Sequence, residues 1–192
     1  MDAKLYAIQT ELQRRGIDPG PIDGVWGTKT RDAIFKALEL TEVPAIPARD
    51  AGAPWLDLAR GQIGVKEWSG IASNPAVLQY YREAGVPQAG DDVPWCAAFV
   101  GAMLRRAGYK SSGSLMARSY LQWGSAITGP RKGAVVVLER GQAPAGHVAF
   151  VDDWSPTVIK CLGGNQGDAV SISNYARSRV LGYRWPAEAR AA

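Results

Sequence analysis

The apolar pattern of this chain changes period near Gly133, and that change limits the possible fold more than any other feature. Before it, apolar residues recur at helical spacing. After it, "GAVVVLERG", "GHVAFVDD", "TVIKCLGG", "AVSISNY" and "RVLGYRW" read as strands separated by Gly, Asp, Ser and Pro. Helices followed by a strand meander give an α+β domain with an antiparallel sheet. Four helices are expected ahead of the sheet: "PWLDLARGQIG", "NPAVLQYYREAG", "PWCAAFVGAMLRRAG" and "SLMARSYLQWG". In the second, Asn74 is the cap, Pro75 the first helical residue and Gly85 the stop. In the third, Ala97, Val100, Ala102, Met103 and Leu104 cover much of the circumference, so it is the buried central helix.

A second constraint is the stretch "TEVPAIPARDAGAP", Thr41–Pro54, whose three prolines disfavour helix and read as an extended linker. The expected organisation is a small unit over 1–42, a Pro-rich linker over 43–54 and a larger unit over 55–187. The small unit opens with a helix presenting Leu5, Ile8 and Leu12 on one face, with Lys4, Gln9, Glu11 and Arg14 on the other and Gly16 as the stop. After the turn-rich "DPGPIDGVWG", a second helix is expected from Thr28 as cap, with Ile34, Ala37 and Leu38 on its apolar face, ending near Leu40.

Composition removes several function classes. No window is apolar enough to span a membrane, and the start "MDAKLYAIQTELQRRG" lacks the apolar core of a signal peptide. The expectation is synthesis in the cytoplasm without a Sec-type address, and no stable membrane insertion. Two cysteines argue against a disulfide framework. One histidine, with no CxxC or HxxxH spacing, argues against a metal site, and no cofactor is expected. Residues 1–50 carry seven basic and eight acidic side chains, and the rest fifteen and ten. The basic excess of the second part suits an anionic polymer as well as plain solubility, and no basic run interleaved with aromatics suggests nucleic acid. A monomer is expected.

The candidate chemistry lies in "DVPWCAAFV". Pro94 fits a first helical turn, which puts Cys96 at a helix start, where the dipole favours a thiolate and free backbone N–H groups can hold an oxyanion. Cys161, mid-strand in an apolar run, reads as core. His147, the chain's sole histidine, opens a strand that must pack against the Cys96 helix and is the candidate general base. A polar group on the next strand would orient it. If Asp153–Thr157 is a five-residue loop, His147 lies opposite Gly163 and Asn165 falls within diagonal reach on the same face. Asp152 and Asp153 are rival orienters, although Asp152 alternates away from His147.

Two resemblances follow from these motifs. "IQTELQRRGIDPGPIDGVWGTKTRDAIFKAL" resembles the peptidoglycan-binding type 1 module, which implies a three-helix wall-binding unit with Asp23 and Trp26 as substrate-binding candidates, although turn chemistry alone also explains Asp23, Gly24 and Gly27. "PWCAAFV", "ARSYLQWG", "GHVAFV" and "LGGNQGDAVSISNY…RVLGYRWP", in that order, resemble the CHAP amidases, papain-like enzymes related to the NlpC peptidases. The resemblance implies Cys96 as nucleophile, His147 as base and acid, Asn165 as orienter, and a central Cys-bearing helix packed on an antiparallel sheet. Many of these domains carry Glu two residues before that Asn. Gly163 stands there instead, so Asn165 serves alone or another acid such as Asp152 contributes. Glu67 also matches a subgroup motif, with a surface or structural role the simplest reading.

Among Trp68, Trp95, Trp123, Trp154 and Trp185, some are expected to line a substrate groove, Trp95 above all, and others to pack in the core. Together these features lead to the expectation of an endolysin-like peptidoglycan hydrolase, an N-acetylmuramoyl-L-alanine amidase or a stem or cross-bridge endopeptidase, reaching the wall after holin-type release. The alternatives are a secreted antibacterial amidase effector and a non-catalytic wall-binding protein.

Overall fold

The structure is a computed structural model, and it describes residues 2–38, 52–68 and 72–187. The chain divides into two compact units, Met1–Ala48 and Arg49–Ala192. Most of the expected linker, and the end of the second helix near Leu40, lie outside the described residues.

In the first unit, α1 spans Ala3–Arg14 and α2 spans Thr28–Ala37. A third helix is not among the described residues. Asp2 caps α1 by accepting from the N–H groups of Lys4 and Leu5. Gly27, not Thr28, is the cap residue of α2. The apolar faces differ from expectation. Gln9, assigned to the polar face, is buried with Leu12, while Ile8 and Leu38 stay 44% and 62% exposed. Gln9 is there for its amide. Its Nε2 donates to Asp23 Oδ1, Val25 O and Thr30 Oγ1, and its Oε1 accepts from the N–H groups of Asp23 and Gly24. In a unit too small for a large core, this one amide ties both helices to the turn between them.

The second unit is mixed α and β, as the period change requires. Helices α3 (Pro54–Arg60), α4 (Pro75–Ala84) and α5 (Cys96–Arg106) come first. Pro75 and Gly85 bracket α4 as expected, with the Asn74 side chain accepting from Ala76 N–H and Gly85 in the left-handed region at φ 81°. Its buried residues Val77, Tyr80, Tyr81 and Ala84 follow the helical period and pack on α5. Helix α5 is buried along Cys96–Leu104. The two helices meet closely at Gly101, where an added Cβ would stand 2.9 Å from Ala84 Cβ. The expected fourth helix is a short 3-10 helix, Ala117–Gln122, closed by i→i−3 bonds from Ser119 and Trp123.

Six antiparallel strands follow: β1 (Ser125–Ile127), β2 (Val135–Glu139), β3 (Gly146–Trp154), β4 (Val158–Gly163), β5 (Ser171–Ala176) and β6 (Val180–Trp185). They lie in the order β1-β6-β2-β3-β4-β5. Val135, Val137, Val148, Phe150 and Leu162 face the helices, and Phe99 of α5 meets Phe150 at 6.4 Å. The other face carries Val136, Leu138, Ala149, Val151, Ile159 and Cys161. Cys161 is thus core, as its apolar setting predicts. Trp55 of α3 is buried and donates from its indole to Gly133 O at 2.7 Å, pinning the first helix to the entry of the sheet.

The β3–β4 register differs from the expected one. Phe150 pairs with Leu162 and Val151 with Cys161, and the register shifts between Val151 and Asp153. The cause is a tighter connection, closed by Ser155 N–H to Val158 O, together with a bulge at Asp152. Gly163 therefore sits beside Ala149 instead of opposite His147; an added Cβ there would lie 2.8 Å from Ala149 Cβ. The shift is even, so the expected face is preserved.

Candidate active site

Pro94 and Trp95 lead into α5, with Trp95 as its cap and Cys96 as its first helical residue. Cys96 lines a cleft of about 680 Å³ whose walls include Glu67, Asp92, Met116, Arg140, Asn165 and Asp168. His147 lines an adjoining, more polar cavity of about 240 Å³ with Gln166, Tyr175 and Arg179. Arg140 and Asn165 belong to both.

The connection after β4 decides what reaches His147. Gly164 runs against the first turn of α5, where an added Cβ would lie 2.5 Å from the Trp95 ring and 2.6 Å from Phe99 Cβ. Asn165 then takes a left-handed backbone conformation at φ 56°, which Asn tolerates better than most residues. Its side chain lies at the cleft, and that of the next residue turns to the histidine. Gln166 Oε1 is 3.1 Å from His147 Nε2. The side chain that meets the imidazole is thus Gln166, not the expected Asn165, which lines both cavities instead. Space for the Gln166 amide exists because position 163 is glycine, since a Cβ there would lie 3.1 Å from Gln166 Oε1. Asp152 is no rival. It accepts from Arg60 at 2.7 Å and faces Lys160.

The hydrogen-bond network fixes the histidine tautomer. Gln166 Nε2 donates to Ser171 O at 2.6 Å and faces Cys161 O, so its Oε1 must point at the imidazole. Tyr175 O–H donates to the same oxygen at 3.0 Å. An oxygen can only accept, so His147 Nε2 carries the proton and Nδ1 keeps a lone pair. Nδ1 is buried and unpartnered. Burial above all holds the imidazole pKa down to about 4; the Gln166 bond opposes this, and Arg140 and Arg179 reinforce it. At neutral pH the ring is a neutral base with one open nitrogen.

The N–H dipoles of Val148, Ala97 and Cys96 itself act on the thiol in the direction that favours a thiolate. Burial nevertheless dominates and pushes the thiol above its ordinary range, against the expectation that the helix start would favour a thiolate. The N–H groups and Arg140 offset only part of this. The resting pair is thus a thiol and a neutral imidazole, and no hydrogen bond joins them among the described residues. Along β3, His147 alternates with Val148 and Phe150, which face the helices, and its ring lies 5.5 Å from Tyr175 on the other side.

Trp95 is corrected from substrate contact to core. It is fully buried, stacks on Tyr80 at 6.0 Å and donates from its indole to Glu67 Oε2 at 2.8 Å. Glu67 thereby braces the residue before Cys96 while lining the cleft. Tryptophans do not line the Cys96 cleft; Val93, Pro94, Leu115, Met116 and Pro144 supply its apolar surface. In the first unit Trp26 is 61% exposed, and Asp23 is fixed by the bonds of its carboxylate with Val25 N–H and Gln9. Among the described residues, no three His, Cys, Asp or Glu side chains gather as a metal site, and no helix is long and apolar enough to cross a membrane.

A buried thiol at a helix start and a strand histidine whose Nε2 is held by an amide line cavities that share Arg140 and Asn165, an arrangement compatible with a cysteine- and histidine-dependent hydrolase site. The family comparison matches residues 88–165 to the CHAP domain. CHAP domains are typically cysteine- and histidine-dependent hydrolases of peptidoglycan, which supports an enzyme with the cell wall as substrate. The match contains Cys96, His147 and Asn165 and stops one residue short of Gln166. Among curated proteins, none matches the chain.

Proposed function

We propose that this protein cleaves an amide bond of bacterial peptidoglycan by thiol acyl transfer, with Cys96 as nucleophile, His147 as general base and acid, and Gln166 as positioning residue. One observation carries the reading. His147, with its unpartnered Nδ1, and Cys96, at the start of α5, line two cavities that share Arg140 and Asn165 in their walls.

Nδ1 takes the thiol proton as sulfur attacks the carbonyl carbon. Proton transfer and attack go together, because neither group is ionised at rest. The thiol–imidazole contact forms in the substrate complex, as catalytic bonds often do. The first-turn N–H groups that face the thiol receive the oxyanion. His147 returns the proton to the leaving amine as the C–N bond breaks. Water, giving a proton to Nδ1, then attacks the thioester and releases a carboxylic acid and the thiol.

The first unit is proposed to bind the wall through the exposed Trp26 and the Asp23 turn, raising the local concentration of enzyme on a polymer. We read the protein as a monomeric endolysin released by a holin, with an exported antibacterial effector as the rival route to the same wall. Mass spectrometry of digested muropeptides tests the reading and identifies the bond. A new muramoyl lactyl carboxylate marks an amidase, and a new peptide amine within the stem or bridge marks an endopeptidase. Fragments arising only from glycosidic cleavage contradict the proposal.

A further inference from the structure

We propose that Arg140 receives a free carboxylate of the substrate and so selects which amide enters the cleft. This rests on the hydrolase reading above. Arg140 directly follows β2 and stands where the Cys96 cleft meets the His147 cavity, lining both. The other charges on the cleft wall are Glu67, Asp92 and Asp168, so the cleft is acidic except at this point.

Among the described residues Arg140 makes no hydrogen bond or ion pair. Other arginines of the unit are committed: Arg60 to Asp57 and Asp152, Arg106 to Glu83, Arg118 to Ala145 O, Arg179 to Glu139 O. An uncommitted guanidinium keeps five donors in a planar fork that fits a carboxylate in two bonds. The three acids repel a carboxylate from the rest of the wall, so an anionic substrate has one register. That register places its charge beside the nucleophile, and the field of Arg140 already reaches both Cys96 and His147. The substrate class is a peptide amide with a free carboxylate close to the scissile bond, discriminated from its carboxamide.

The test uses the full chain and two wall preparations, one with native stem carboxylates and one with them converted to carboxamides by carbodiimide and ammonium. The readout is the ratio of kcat/KM on the two. Wild type is expected to favour free-acid walls by about tenfold or more, mostly through KM, as loss of a charge-assisted hydrogen bond implies. Arg140→Gln brings the ratio close to one, and Arg140→Lys keeps part of the preference. A wild-type ratio near one, or an Arg140→Gln variant that slows on both walls with its ratio unchanged, overturns the proposal; the latter leaves Arg140 only an electrostatic effect on the thiol. Release of nothing from either wall by wild type overturns the hydrolase reading itself, a different outcome.

Discussion

Removing the Gln166 side chain strands several polar groups at once. The imidazole Nε2–H and the Tyr175 hydroxyl lose their acceptor at 3.1 and 3.0 Å, and Ser171 O loses its donor at 2.6 Å. Each fully buried group left without a partner costs about 1–3 kcal/mol; Tyr175 and Ser171 are only half-buried and can take water, so Gln166→Ala is expected to lose about 2–5 kcal/mol of stability. Nothing then holds the proton on Nε2, and the tautomer with a protonated Nδ1 cannot accept from Cys96. A fall of about 100-fold in turnover follows for the molecules that remain folded. Gln166→Glu separates the two effects. It keeps an acceptor for His147 but places a carboxylate beside it and loses the donation to Ser171 O, so the acid limb of the rate profile moves upward from about 4. The control is Asn165→Gly, because glycine keeps the left-handed φ of 56° that alanine would resist. Its turnover is expected within a few-fold of wild type. Wall solubilisation rates, urea melts and the ¹⁵N shifts of the two ring nitrogens measure all of this. Wild-type turnover in a folded Gln166→Ala variant, with Asn165→Gly dead, would refute the reasoning and return the orienting role to Asn165.

Other expectations follow from the same geometry. Because burial keeps Cys96 protonated at rest, iodoacetamide should label it slowly at neutral pH and faster as pH rises past 9, whereas a fast plateau from pH 6 upward would indicate a preformed thiolate–imidazolium pair. The His147 pKa drops from 6.5 to about 4 on folding, so between these values the unfolded chain binds more protons. Stability from this residue is complete above about pH 6.5 and is lost as pH falls toward 4, by about 3 kcal/mol, and His147→Gln should flatten that part of a urea-melt profile. In the first unit, Trp26→Ala should weaken pull-down of the full chain by isolated walls severalfold while leaving its melting unchanged, since this ring is largely outside the core; undiminished pull-down would move wall binding elsewhere.

What was legible in the sequence is what local chemistry writes there. Asn74, Pro75 and Gly85 mark α4 because cap, first-turn proline and left-handed stop each have one physical use. Cys96 could be placed at a helix start from Pro94 alone. What was not legible depended on distance in the chain. Gln9 looks like surface until its five hydrogen bonds to the following turn and α2 are known. Strand β1 is three residues long and exists only through β6. The exchange of Asn165 for Gln166 turned on a positive φ and a bulge at Asp152, neither of which leaves a periodic trace. A partial signal was present: glycine at 163 leaves a space that a neighbouring side chain must fill. Trp95 is no surface contact because its place before Cys96 also points it into the α4–α5 interface.

The account depends most on Cys96 acting through His147. The direct measurement is release of soluble, amide-cleaved fragments from purified walls by wild type, Cys96→Ala and His147→Ala at equal folded concentration. Wild type should release them, and each variant should lose about 1,000-fold or more. Fragment release by Cys96→Ala at the wild-type rate would contradict the account.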